Sequence, residues 1–424
     1  FQLVNLAWLL ATLGFTWLAL APIDRRAAWA GSVLFGLMWY GNGPWMVLQR
    51  DGAAILPISA AVALAMSARG TRRGSALLIG LCFGAAAMVK PHLAIGFPLV
   101  VLFPWATWGG PVRRAWDEAV QALVWGGVGL IIPVAAALGW VHERGGLAAF
   151  LSILADFLPI HLSLSGDHVT MSGGQRLVSV VTGTRDLGGH AVWLAPLFVV
   201  FLRAIEPGIG RPARSRLGLW VALAAAYAIE PAFAGQFWDY HWMPFQYFAA
   251  VAGGLVLVAA RAEDDDAPPS HGIAPLVLFA ATVFFGVTLA PNFAAELRGE
   301  PPLVPKEGRV DAIATYLREH LEPGDTVQPL DWTGGAVHGM FRAGAPPATR
   351  FLYDYVFYNR ADTPYVARLR SELIAGLNEA PPRFVVRFEG ERVSGPQALH
   401  AFPELERVLV NRYVLAVDGD GYTI

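Results

Sequence analysis

The chain has 424 residues, 55% of them hydrophobic and 15% charged, with a formal net charge of -2 and a mean hydropathy of +0.46. So apolar a composition excludes an ordinary soluble domain and fits a polytopic membrane protein, and the near-neutral charge gives no sign of a nucleic-acid partner. The single cysteine, Cys82, excludes an internal disulfide.

About ten apolar spans are predicted in chain order, at 3–21, 28–47, 53–68, 74–89, 92–108, 119–140, 190–204, 217–232, 242–260 and 273–291. Their apolar character runs all round rather than along one stripe, the pattern of a lipid-buried helix. Basic residues alternate between the connecting loops. With Phe1 outside, the inner loops hold Arg25, Arg26, Arg69, Arg72, Arg73, Arg113, Arg114, Arg203, Arg211, Arg214, Arg216 and Arg261. The outer loops then hold only Arg50, Lys90, Arg144, Arg176 and Arg185. Because basic loops stay cytoplasmic, this orientation is preferred and places the C-terminal tail outside.

The 141–189 connection is too long to be idle. Leu147 to Leu164 has amphipathic character suited to the membrane interface, and the Ser-, Gly- and Thr-rich part that follows reads as an outer loop. Residues 261–272 form a polar cytoplasmic linker. Of the 31 Lys+Arg and 33 Asp+Glu residues, 29 lie in the last 124 positions, so a water-soluble domain is predicted at 301–424 after a membrane part at 1–300. In that tail the pattern predicts helices at 308–321, 334–342 and 363–378. Strands are predicted at 326–330, 349–353 and 383–388, and 405–424 reads as a short helix and a closing hairpin. Alternating helix and strand favours a mixed, largely parallel sheet.

Four stretches carry a resemblance. Gln49-Arg50-Asp51-Gly52 puts an acidic residue at an outer boundary after a span pair. A Gly/Ala-rich span, Gly80 to Val89, closes on Lys90-Pro91. Gln236-Phe237-Trp238-Asp239-Tyr240-His241-Trp242-Met243-Pro244 opens a late span with a Tyr-His-x-x-Pro run. The tail adds Tyr316 to Asp325 and the Pro381-Pro382 step into a strand. Together these resemble the membrane-embedded glycosyltransferases of the GT-C class, a group that includes protein O-mannosyltransferases and the lipid A aminoarabinose transferase. The resemblance implies a polytopic α-helical membrane protein with an extracytoplasmic α/β domain, in a bacterial-type inner membrane. It implies transfer of a sugar from a polyprenyl-phosphate donor, amid membrane lipids, to a lipid, glycan or protein acceptor at the outer face. It also implies a main catalytic acid in the first outer loop. The chain starts with Phe at the edge of a span, so that loop and the span before it are expected upstream, and no position here takes that role.

Such a transfer needs a carboxylate for the acceptor proton or a metal, and cationic or hydrogen-bonding groups for the departing phosphate. Asp51 is the candidate carboxylate, to bind a metal or an acceptor hydroxyl; otherwise it is a helix cap. Lys90, with Pro91 and His92 beside it, is the candidate phosphate grip; otherwise it snorkels to lipid headgroups. His241 is a candidate proton relay, with Asp239, Tyr240 and Gln236 as substrate-binding companions; otherwise this stretch is an interfacial aromatic belt. The chemistry admits a divalent metal, but no ligand set is assigned. Asp117-Glu118 and Asp264-Asp265-Asp266 fall on the cytoplasmic side and read as a helix start and a solvated charge run. His161, Asp167 and His168 match no metal-ligand spacing. Gly334-Gly335 reads as a turn or helix start.

Two other classes fit the same sequence. A transporter or flippase of a lipid-linked saccharide places ionisable groups inside its spans, and Glu230, near the end of span 217–232, fits that pattern. A non-catalytic assembly partner needs no site at all.

Overall fold

The computed structural model describes residues 2–43, 49–67, 73–106, 112–163, 171–186, 192–235, 237–258, 273–288, 295, 298–300, 308–332, 334–388 and 401–424. The protein is mostly helical, with a small mixed sheet near its C-terminus. It divides into two compact units, Phe1–Ala148 with Ser172–Glu300, and Ala149–Met171 with Pro301–Ile424.

The first unit is built from α1 (Gln2–Leu20), α2 (Arg25–Gly41), α3 (Arg50–Ser67), α4 (Arg73–Val89), α5 (Phe97–Ala106), α6 (Val112–Glu143), α9 (Gly173–Asp186), α10 (Leu194–Ile205), α11 (Arg211–Ala234), α12 (Met243–Leu255) and α13 (Ile273–Thr288), in chain order. Among the described residues, four helical stretches are long and apolar enough to cross a bilayer: Leu3–Leu20, Arg50–Ser67, Trp116–Glu143 and Arg211–Ala234. Shorter apolar helices include Arg73–Val89, Leu194–Ile205 and Ile273–Gly286. Large apolar side chains such as Leu3, Leu10, Trp29, Ile131, Trp140 and Val277 point outward and are exposed, as they would be against lipid. These features mark an integral membrane protein.

Two devices hold the unit together. Close backbone approach is the first: a Cβ on Gly80 of α4 would collide with the Gly126 carbonyl of α6, and one on Gly129 with the Leu77 carbonyl. Glycine on both faces lets these helices pack main chain against main chain, which matters where no hydrophobic drive separates helix from lipid. Polar ties are the second. α12 is buried along its whole length. The Trp220 Nε1 donates to the Phe248 carbonyl at 2.8 Å, Tyr247 shares a 2.9 Å hydrogen bond with Thr16, and Asn42 donates to Gln246 at 3.1 Å. Each satisfies a polar group that an apolar interior would otherwise penalise.

Between α6 and α9 the second unit begins. Here α7 (Leu147–Ser152), a π-helical turn (Ile153–Phe157) and α8 (Leu158–Ser163) run in succession. The stretch after it differs from the outer loop expected there: α9 is a helix. Ser172 and Gln175 form a reciprocal cap, Ser172 N donating to Gln175 Oε1 at 2.8 Å and Gln175 N to Ser172 Oγ at 3.3 Å. That capping box, together with Leu177, Val180 and Val181, outweighs the Gly and Thr content.

In the tail β1 (Val327–Leu330) pairs in parallel with β2 (Phe384–Phe388), β2 pairs antiparallel with β4 (Tyr422–Thr423), and β4 antiparallel with β3 (Asp418–Gly419). The sheet is mixed, with one parallel and two antiparallel pairings. Helices Arg309–His320, Ala336–Ala343, Pro364–Glu379 and Pro403–Arg412 flank it. The strand expected at 349–353 is replaced by a single parallel bridge between Val327 and Pro347. Pro346 and Pro347 lack the N–H groups a ladder needs, and the Gln328 side chain bonds the Phe351 carbonyl and the Thr349 hydroxyl instead.

Candidate functional site

Side chains of the first unit converge, and the local sequence explains how Asp51, Lys90, His92 and Glu230 are placed. Asp51 sits in the first turn of α3, where partial positive charge from the helix N-terminus favours a carboxylate. Gly52 beside it has no room for a Cβ, because Trp39 and Met243 close over it. Pro91 ends α4: it disfavours helical backbone at the preceding residue, and Lys90 accordingly takes the extended values φ -152 and ψ 131. A 3-10 turn, Pro91–Gly96, follows and carries His92. The hydroxyl of Tyr227 donates to the Leu93 carbonyl at 2.9 Å and so clamps this turn to α11. Glu230 lies three residues further along α11, on the same face as Tyr227, and meets His92.

The contacts are short and the depths unequal. Lys90 Nζ lies 2.6 Å from Asp51 Oδ2, and His92 Nε2 lies 2.8 Å from Glu230 Oε1. Both carboxylates are 0% exposed, whereas the Lys90 and His92 side chains are 12% and 22% exposed. Lys90 Nζ also sits 5.1 Å from the Tyr240 ring centroid, a cation–π distance. The exposed Arg50 adds a second positive charge beside Asp51 and Lys90. The result is two deeply buried acids beneath a rim of Arg50, Lys90, His92 and Tyr240.

Not every acceptor there is used. Among the described residues, Asp51 Oδ1 and both oxygens of Glu230 accept no hydrogen bond, and the His92–Glu230 contact is not aligned as one. One donor atom each from Asp51, His92 and Glu230 lies within 4.8 Å of the others, a residue set able to hold a metal ion.

Of the residues singled out from sequence, the structure brings Asp51, Lys90 and Tyr240 together. His241 is buried in the 3-10 turn Asp239–Trp242, its ring edge-on to Tyr240 at 4.5 Å between centroids. Asp239 opens that turn and is exposed. Gln236 lies outside the described residues. Its neighbour Phe237 holds φ 53, a left-handed backbone unusual for a bulky residue and consistent with a constrained turn. Sequence reasoning gave no site role to His92 or Glu230. The signals were present in Lys90-Pro91-His92 and in the helical spacing of Tyr227 and Glu230.

No protein-family model matches this chain, and no curated protein matches it. Among solved structures it is similar to the apo form of the Archaeoglobus fulgidus oligosaccharyltransferase, with a TM-score of 0.39 and 12% sequence identity. The alignment covers 89% of this chain and 57% of that one, so the chain spans little more than half the length of that protein.

Proposed function

We propose that this protein is a membrane glycosyltransferase that takes its sugar from a polyprenyl-phosphate donor. In this reading the helices of the first unit make about ten crossings of a bacterial inner membrane. The cluster and the tail lie on the outer face, and the acceptor is a lipid, glycan or protein. One observation carries the proposal: two wholly buried carboxylates sit beneath a partly exposed rim of Arg50, Lys90, His92 and Tyr240 in an apolar helical unit. Buried ionisable groups in such a setting are costly and are kept for function.

The chemistry follows from the rim. In the transfer, the acceptor oxygen forms a bond to the anomeric carbon while the bond from that carbon to the phosphate oxygen breaks. The electron pair leaves with the phosphate, and the acceptor proton passes to a base. Charge therefore grows on the phosphate in the transition state. Lys90 and Arg50 are placed to meet it, and fixed cations in a low-dielectric site stabilise such charge better than water does. Asp51 holds the Lys90 ammonium in position from below, and Tyr240 packs against it. His241 sits behind Tyr240 and remains the candidate for proton transfer on that turn.

Binding of polyprenyl phosphate to the full-length protein in nanodiscs, compared with polyprenol of equal chain length, tests the reading. The expected result is preference for the phosphate, weakened at least roughly tenfold in Lys90→Ala. Equal binding of the two lipids would sink it.

A further inference from the structure

The apolar helical segment Leu147–Leu162 fits neither of the two settings in which such helices are usually found. It is too short to cross a bilayer, which asks for about 20 residues. It is not a core helix either, because Leu151, Ile153, Leu154 and Leu158 are all at least 36% exposed. Leu151, Leu154 and Leu158 recur at helical spacing and form one stripe. Among Asp, Glu, Lys and Arg, only Asp156 occurs between 147 and 162.

The segment starts at the end of a span. Gly145, at φ 72, closes α6: Gly146 N donates to the Val141 carbonyl and Gly145 N to the His142 carbonyl, both at 2.9 Å. The last turn of α6 carries the exposed Trp140, with the Arg144 guanidinium 5.7 Å from its ring centroid, a pair suited to the membrane–water boundary. Only Arg144, Gly145 and Gly146 separate α6 from Leu147, so the segment begins within about 14 Å of that boundary. Its other side is already engaged within the second unit. Phe157 lies 6.4 Å from the Tyr355 ring and 6.3 Å from the Tyr365 ring, and Asp156 reaches Arg368 at 3.8 Å.

We propose that Leu147–Leu162 tethers the second unit to the membrane. The stripe of Leu151, Leu154 and Leu158, with Ile153, lies in the boundary between headgroups and acyl chains, and Phe157 and Asp156 hold the tail to it. A lipid surface is the occupant because the exposed apolar belt of α6, from Ile131 to Trp140, leads into the stripe through three residues. Burying such leucines at that depth is favourable, and the one charged side chain is turned to Arg368. The tether rests on the membrane character of the chain and not on the sugar transfer proposed above.

Cys82 is the only cysteine, so the full chain carrying Cys82→Ser accepts a fluorophore at one introduced cysteine at a time, in Leu151→Cys, Leu154→Cys or Leu158→Cys. In phosphatidylcholine nanodiscs, nitroxides high on the lipid acyl chain should quench each label at least roughly twice as strongly as nitroxides at the chain end, and aqueous iodide should quench little. Stronger quenching from the chain end, quenching by iodide alone, or quenching by neither overturns the lipid contact. Phe157→Ala removes the ring contacts to the tail. It should raise amide hydrogen exchange at 364–368 roughly two- to tenfold while lipid quenching at positions 154 and 158 persists. Unchanged exchange there overturns the link to the tail.

Discussion

Each unit of this protein buries aspartate, and the two solutions are opposite. In the tail, Asp331 is buried and both its oxygens accept hydrogen bonds: Gly334 N donates at 2.6 Å, Gly335 N at 3.0 Å and Ala336 N at 2.9 Å. It ties down the turn that leads into the helix Ala336–Ala343. In the helical unit, Asp51 and Glu230 are 0% exposed, yet three of their four oxygens accept no hydrogen bond among the described residues. A satisfied buried acid stabilises a fold, whereas an unsatisfied one burdens it and is retained for what it binds or does. On the function proposed above, the same residue type serves structure at Asp331 and chemistry at Asp51.

The comparison breaks if the acids respond alike to neutralisation. Asp51→Asn should lower sugar transfer on the order of 10²- to 10³-fold, because it releases Lys90 from its position. Its melting temperature, followed by scanning fluorimetry, should hold or rise. Asp331→Ala should do the reverse. Loss of three charged hydrogen bonds should cost the tail about 2–3 kcal/mol. Amide hydrogen exchange at 336–343 should report it, with transfer per folded molecule unchanged. Loss of transfer in Asp331→Ala without loss of protection would place chemistry in the tail.

How far sequence could read the site depends on chain distance. The rim residues Lys90 and Tyr240 were legible because each sits in a local motif: a lysine before proline at a span end, and a Tyr-His pair opening another. Asp51 was legible for the same reason. Glu230 read as an acid inside a span, the transporter signature, because its role depends on how α11 is rotated against the Pro91–Gly96 turn. That rotation is set by the Tyr227–Leu93 hydrogen bond across 134 positions, which no local pattern encodes. In the tail, the helix at 308–321 and the strands at 326–330 and 383–388 were read close to their true bounds. The 349–353 strand failed because Gln328 bonds that segment through its side chain. α9 was missed because its Gly and Thr content was weighed above the Ser172–Gln175 cap.

Smaller effects sharpen the contrast between the units. Gly80→Val puts a branched side chain against the Gly126 carbonyl and should destabilise the helical unit by about 1–3 kcal/mol, measured as a lowered melting temperature. In the tail, Arg350 donates to Glu372 at 2.8 Å and holds that carboxyl below its usual range. A depressed carboxyl contributes stability above its unfolded value of about 4.3 and loses it as pH falls through the folded value. Both side chains are largely exposed, so Glu372→Gln should cost less than about 0.5 kcal/mol at neutral pH and flatten the stability profile on the acid side.

The most direct test of the central claim follows a doubly labelled polyprenyl-phosphate sugar in sealed vesicles carrying the full-length protein and a cell-envelope acceptor extract. The account predicts that the sugar label leaves the lipid and joins the acceptor, and that Asp51→Asn and Lys90→Ala strongly reduce this while folding normally. Movement of the intact donor across the bilayer with the sugar still attached, or transfer unaffected by both substitutions, would contradict it.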